Sequence, residues 1–445
     1  MKKFIDKIKD IWSIEELRNR ILLTLGLILV YRLGSFIVLP GMDPNMLKTS
    51  QNAQDGLLGL INMFAGGAFN NASIFALGVM PYISASIFMQ LAGIVIPQFA
   101  KMQKEESGRA KINQYTRYLT ILVTVMQSAA YISFLRTQTA PGSIVAETTM
   151  FYVSTVVILT AGTLFVMWLG ERITDKGIGN GVSILIMVGI LARLPHTLGQ
   201  EITTKIGQDK ILFLIIELAL FIVVIIGLVL LTQGVRKIPL NYARRIVGNN
   251  AAREIGGARD FIPLKVNSAG VMPIIFAQAL MFIPSMLAGF SESASSSTWL
   301  RQMSDHTSLI YNVIYAVLVI VFTYFYTALI FNPTEMAENL KRNNSFIPGI
   351  PPGQPTADYI GATMDRITLP GSIFLAIAGI LPGIAALLGV TSGFSTFFGG
   401  TSMLIGVAVI IDTIQQIESH LLMRHYDGMM KSGRVTTRRA VQQPS

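Results

Sequence analysis

Residues 211–232 read Ile-Leu-Phe-Leu-Ile-Ile-Glu-Leu-Ala-Leu-Phe-Ile-Val-Val-Ile-Ile-Gly-Leu-Val-Leu-Leu-Thr, an apolar run with a single charged residue, Glu217. A helix needs roughly 20 mostly apolar residues to cross the hydrocarbon layer of a bilayer, and this run is long enough. Comparable runs lie at about 21–39, 73–96, 118–135, 150–170, 181–195, 269–290, 309–331, 369–390 and 401–422, which makes ten expected spans. The composition agrees, with 51% hydrophobic residues, 13% charged residues and a mean hydropathy of +0.55 over 445 residues. No stretch remains for a large soluble domain, so the expected fold class is an all-α polytopic membrane protein of about ten transmembrane helices.

The residues between the runs set the expected topology. Phe4, Ile5, Ile8, Ile11 and Trp12 recur at helical spacing among Lys2, Lys3, Lys7 and Lys9, the pattern of an amphipathic segment over 1–20 lying in the headgroup layer. Ser13 and Glu16 form a capping box that opens the next helix, and no removable signal peptide is expected. If all ten runs cross, 28 of the 35 Lys and Arg residues fall on the side of the two termini, which makes that side cytoplasmic. The same partition explains the formal charge of +10 through topology, without a nucleic-acid groove. Five spans over 21–196, an external hinge connection at 197–210 and five spans over 211–423 make two halves inverted relative to each other, followed by a basic cytoplasmic tail at 424–445. The apolar run from Gly56 to Phe69 is too short to span and carries Gly56, Gly59, Gly66 and Gly67. It reads as a re-entrant half-helix, which needs protein or a water-filled cavity around it.

Catalytic chemistry has little to work with. The four His, at 196, 306, 420 and 425, show no metal-ligand spacing, and there is no Cys to serve as ligand or nucleophile. Gly177-Ile178-Gly179-Asn180-Gly181 lacks the GxGxxG spacing of a phosphate loop and reads as a flexible connection, and no Walker A sequence is present. The expectation is therefore no enzyme, no catalytic residue, no metal and no cofactor. Candidate charges for an ion-coupled site within the spans are few, Arg32, Glu217 and Asp412, and they leave open the alternative of an ion-coupled secondary transporter of a small solute.

A set of short motifs resembles the SecY family of protein-conducting channel subunits, in that family's order. They are Gly34-Ser35-Phe36 with Pro40-Gly41, Asn62-Met63-Phe64-Ala65-Gly66-Gly67-Ala68, Gly78-Val79-Met80-Pro81-Tyr82, Ser107-Gly108-Arg109, Gln114-Tyr115-Thr116-Arg117-Tyr118, Gly177 to Gly181, Leu264-Lys265-Val266-Asn267, Phe331-Asn332-Pro333 and Phe398-Gly399-Gly400-Thr401-Ser402. The resemblance implies a channel in the bacterial plasma membrane built with the small subunits SecE and SecG. It is served by the SecA motor or the ribosome, passes unfolded signal-peptide-bearing polypeptides, and releases apolar segments into membrane lipids. It implies a pore ring of Val79, Ile83, Ile186, Ile190, Ile275 and Ile405, in which the first two pairs are spaced i, i+4 and so share a helical face. It implies a plug at about 56–70 that includes Leu58, Ile61, Asn62, Met63, Phe64, Gly66 and Gly67. A lateral gate is expected between spans two and three and spans seven and eight, with Ser84, Gln127, Asn267, Gln278 and Phe282 along the seam and Pro273 and Pro284 permitting bending. Motor and ribosome docking is expected on the loops 233–267 and 332–368, through Arg244, Arg245 and Arg366.

Overall fold

The computed structural model describes residues 12, 14–42, 65–138, 149–242, 259–278, 280–281, 302 and 308–440. The chain runs α1 (Glu15–Gly34), α2 (Met80–Val95), α3 (Pro97–Lys104), α4 (Glu106–Gln138), α5 (Thr149–Lys176), α6 (Gly181–Gly207), α7 (Ile211–Gln233), β1 (Val235–Tyr242), β2 (Arg259–Lys265), α8 (Leu309–Ile330), α9 (Pro333–Arg342), β3 (Ser345–Phe346), α10 (Gln354–Leu387), α11 (Ser392–Ser395) and α12 (Gly400–Ala440). It divides into two compact units, Met1–His196 with Val409–Ser445, and Thr197–Ala408.

Six helices among the described residues are long and apolar enough to cross a membrane: α5, α6, α7, α8, α10 and the Gly400–Leu422 part of α12. Taken together, α2 and α3 make a seventh, bent by 97°. The bend follows from Pro97, which disfavours helical geometry in the residue before it, and Ile96 is accordingly extended at φ −105° and ψ 112°. The run expected at 118–135 lies in α4, and the run expected at 21–39 begins in α1, whose helix ends at Gly34. Of the run expected at 269–290, helix is described at 272–278 and 280–281.

In the first unit, α4 packs against α2, α3 and α5. Its buried face is a stripe of small hydroxyl residues, Thr116, Thr120, Thr124 and Ser128. Each hydroxyl donates to the carbonyl four residues earlier, at 2.9, 2.7, 2.6 and 2.7 Å in turn. The polar groups are thereby satisfied inside the helix, and the small side chains let neighbouring helices approach closely. The Gly177–Gly181 connection, expected to be flexible, is pinned instead. Ile178 N–H donates to Thr24 Oγ1 at 3.2 Å, Gly179 N–H to Gln416 Oε1 at 2.8 Å and Gly181 N–H to Thr174 Oγ1 at 2.8 Å.

In the second unit, α10 packs against α7, α8 and α9. Buried Tyr311, Tyr315, Val319, Thr323 and Tyr326 share one face of α8, while Leu309, Val313, Val317 and Val321 lie exposed on another, as lipid-facing residues do. The helical class holds, but the sequence reading had no place for a small antiparallel sheet of order β2-β1-β3. In it, Ile238 pairs with Ile262 and Leu240 with Asp260. Ile238, Leu240, Ile262 and Leu264 point to one side and pack with Ile347, Ile360 and Met364. The expected loop 332–368 is therefore α9, β3 and the first turns of α10, and the loop 233–267 carries β1 and β2. The fifth run also differs from expectation. Although Pro195 was read as its end, α6 continues to Gly207, so much of the expected 197–210 connection is helical. Hydropathy falls there because the buried face turns polar: Thr197, Glu201 and Lys205 recur every fourth residue and are all buried.

Candidate functional site

Residues 65–79, between α1 and α2, form turns where the sequence reading began a helix at about 73. The backbone explains why, since Gly66 (φ +64°), Gly67 (φ +90°), Ala72 (φ +44°) and Gly78 (φ +54°) are all left-handed, which no continuous helix tolerates. The segment is nonetheless buried, with Ala65, Ala68, Phe69, Ala72, Ala76 and Leu77 packed against Leu39, Tyr131, Leu135, Phe151 and Leu159. Its backbone groups find partners accordingly. Leu39 N–H donates to Ala72 O at 2.8 Å, Ile74 N–H to Ile37 O at 2.9 Å and Tyr131 Oη to Phe69 O at 2.6 Å. Phe75 stacks between Tyr31 and Phe165, with centroids 6.1 and 5.9 Å away. It fills a space that requires Gly34, where a Cβ would stand 2.0 Å from the Phe75 ring. Of the expected plug residues only Gly66 and Gly67 are described, and they form a turn; Leu58, Ile61, Asn62, Met63 and Phe64 lie outside the described residues.

The expected ring residues fall in both units. Val79 is buried at the N-cap of α2, and Ile83 N–H donates to its carbonyl at 3.1 Å, so the two stand one turn apart. Ile186 and Ile190 are buried one turn apart on α6. Ile405 is buried on α12, and Ile275 is half-buried in the helical stretch 272–278. Among the seam residues, Ser84 is half-buried and donates to Met80 O at 3.1 Å, Gln127 and Gln278 are half-buried, and Asn267 is buried with no hydrogen-bond partner for Oδ1 among the described residues. Phe282, Pro284, Arg244 and Arg245 lie outside the described residues. Arg366 is exposed on the early, polar part of α10.

Sequence reasoning missed one cluster. Glu217, read as a charge without an assignable partner, accepts a hydrogen bond from Lys205 Nζ at 2.7 Å. The same ammonium donates to Gly389 O at 2.9 Å and lies 3.6 Å from Glu201 Oε1. Thr391 donates to Glu201 Oε2 through its N–H at 3.0 Å and through its hydroxyl. Three buried charged groups thus tie the last turns of α6 to α7 and to the turn after α10. The signal was available as Glu201-x-x-x-Lys205, an i, i+4 pair, once the segment is taken as helix. Of the three charges that left a transporter open, Glu217 is held in an ion pair. Arg32 too has a partner, since Nη1 donates to Gly66 O at 3.1 Å.

Long apolar helices, a buried non-helical segment ahead of the second expected span and a small sheet with polar extensions define a multi-pass helical membrane protein. The SecY family model matches residues 73–414. The protein translocase subunit SecY of Mycobacterium bovis is 41% identical over 451 residues, covering 97% of this chain and 100% of that protein, and the Corynebacterium glutamicum subunit is 42% identical with the same coverage. Among solved structures, a protein-conducting channel superposes with a TM-score of 0.61 at 16% identity, covering 90% of this chain and 92% of that one. Sec61 in a canine ribosome–channel complex from the endoplasmic reticulum gives 0.54 at 16% identity, with the same coverage. The chain belongs to the SecY family.

Proposed function

We infer that the chain is the channel-forming subunit of a bacterial protein translocase, conducting unfolded polypeptides with signal peptides across the plasma membrane and releasing apolar segments sideways into lipid. The observation that carries this reading is the 41% identity to SecY translocase subunits along 97% of the chain. SecE and SecG complete the channel, and SecA or the ribosome docks on the sheet-bearing face built from 233–267 and 332–368. Both termini face the cytoplasm. The aliphatic residues Val79, Ile83, Ile186, Ile190, Ile275 and Ile405 form a dewetting constriction that seals the resting channel yet offers a sliding chain no fixed hydrogen-bond partners. Glycines 56–67 belong to a plug that supports this seal, and the second and third spans part from the seventh and eighth to let apolar segments out. The test is reconstitution: the purified complex in vesicles, given SecA, ATP and a signal-bearing precursor, should protect the precursor from external protease. Arg366→Glu should abolish most of that protection while the complex still assembles, since its exposed guanidinium is part of the motor-docking face. A parent complex that protects no precursor sinks the reading, and an unaffected Arg366→Glu complex removes Arg366 from it.

A further inference from the structure

Arg32 is the sole charged residue from Ile21 to Leu39, and a guanidinium in such a run needs a partner or a path to the headgroups. The structure gives it a partner in the backbone of another segment. Nη1 donates to the Gly66 carbonyl at 3.1 Å, while the guanidinium carbon lies 5.4 Å from the Phe36 ring centroid. Gly66 is wedged: a Cβ there would stand 2.8 Å from Arg32 Nη1 on one side and 2.8 Å from Gly189 Cα on the other. Gly189 adjoins Ile190 and lies three residues from Ile186, both buried on α6. Downstream of the turn the segment has other anchors, namely Tyr131 on Phe69 and the backbone pairing of Leu39 with Ala72 and of Ile74 with Ile37. Arg32 is thus not needed to hold residues 69–74. Its contact falls on Gly66, the first of two adjacent left-handed glycines, and a Cβ on the second, Gly67, would meet nothing within 4 Å.

We propose that Arg32 is a positioning residue of the resting seal, holding the Gly66–Gly67 turn against α6 at Gly189 and so fixing the face that carries Ile186 and Ile190. This rests on the reading of those isoleucines as part of the seal. The readout is ion flux through the purified complex in vesicles without precursor. Arg32→Leu, which removes every donor, should raise resting flux several-fold. Arg32→Lys, which keeps a cationic donor, should stay near the parent, and Gly66→Ala should leak although Arg32 is intact. Ile186→Asn is the control for the seal itself: if it is as tight as the parent, the seal reading falls and this proposal with it. If Ile186→Asn leaks while Arg32→Leu and Gly66→Ala stay tight, the seal stands and the positioning role is overturned. The double variant separates positioning from general packing, because Arg32→Leu should add little to the flux of Ile186→Asn, and additive leaks would overturn the proposal. Where the Arg32→Leu complex is not recovered, Gly66→Ala decides alone.

Discussion

Lys205 faces two carboxylates, Glu217 at 2.7 Å and Glu201 at 3.6 Å, with all three side chains buried. Charges taken out of water are held in place only by one another and by nearby dipoles, here the Gly389 carbonyl and the Thr391 N–H. Removing the ammonium should therefore cost more than its own attraction, because it strands two carboxylates. Lys205→Met is expected to destabilise the protein by about 3–5 kcal/mol, the usual penalty for breaking a buried pair. Glu217→Gln should cost less, since Lys205 keeps Glu201 and the Gly389 carbonyl. Thermal unfolding of the purified complex in detergent checks the order, and a Lys205→Met complex as stable as the parent would show that water reaches the cluster. In the sequence, Glu217 stood out as a lone charge in an apolar run. Its partners did not, because Glu201 and Lys205 lie among Gly199, Gly207 and polar residues that read as a loop. A buried polar face and a solvated loop have the same composition, and only tertiary burial tells them apart.

At the level of elements, two glycines on one helix should respond oppositely to the same substitution. Gly181 opens α6 with its Cα hard against α5, where a Cβ would stand 2.0 Å from Gly170 O and 2.7 Å from Ile173 Cβ. Gly199, further along α6, meets nothing within 4 Å. Gly181→Ala should cost about 1–3 kcal/mol, as overpacking does. Gly199→Ala should be neutral or stabilising by up to about 1 kcal/mol, the helix-propensity difference between the two residues. Unfolding midpoints of the two variants against the parent decide this, and equal shifts would mean that the α5–α6 corner is loose. The apolar helices were legible because lipid demands long hydrophobic runs, and α7 lies within one residue of its sequence bounds. The sheet was also present in the sequence, as Ile238 and Leu240 and then Ile262 and Leu264 at period two. Pro239 and Pro263 within those runs argued against strands and masked the pattern. The turns at 65–79 were hidden for a different reason: Ala72 takes a left-handed conformation that its identity does not announce.

For the whole molecule, topology depends on every crossing, because a segment that fails to span inverts all that follows. The absence of Cys from the chain lets each introduced thiol report alone. Asp175 in the last turn of α5, Gln208 just after α6 and Asn343 just after α9 are exposed positions. If α6 crosses, cysteines at 175 and 208 must lie on opposite sides. Between 208 and 343 the described helices α7 and α8 supply two crossings, which alone would return the chain to the side of 208. The third crossing expected at 269–290 places 343 opposite 208 and on the side of 175. The excess of Lys and Arg assigns that shared side to the cytoplasm. A membrane-impermeant maleimide should therefore label Gln208→Cys in intact spheroplasts and not Asp175→Cys or Asn343→Cys, with the reverse in inside-out vesicles. Labelling of 208 and 343 from the same side would remove the crossing at 269–290, leave an odd number of spans and place the termini on opposite faces. Labelling of 175 and 343 together from the outside would keep all the crossings but refute the charge-based orientation, since seven basic residues between 233 and 267 would then lie on the external face.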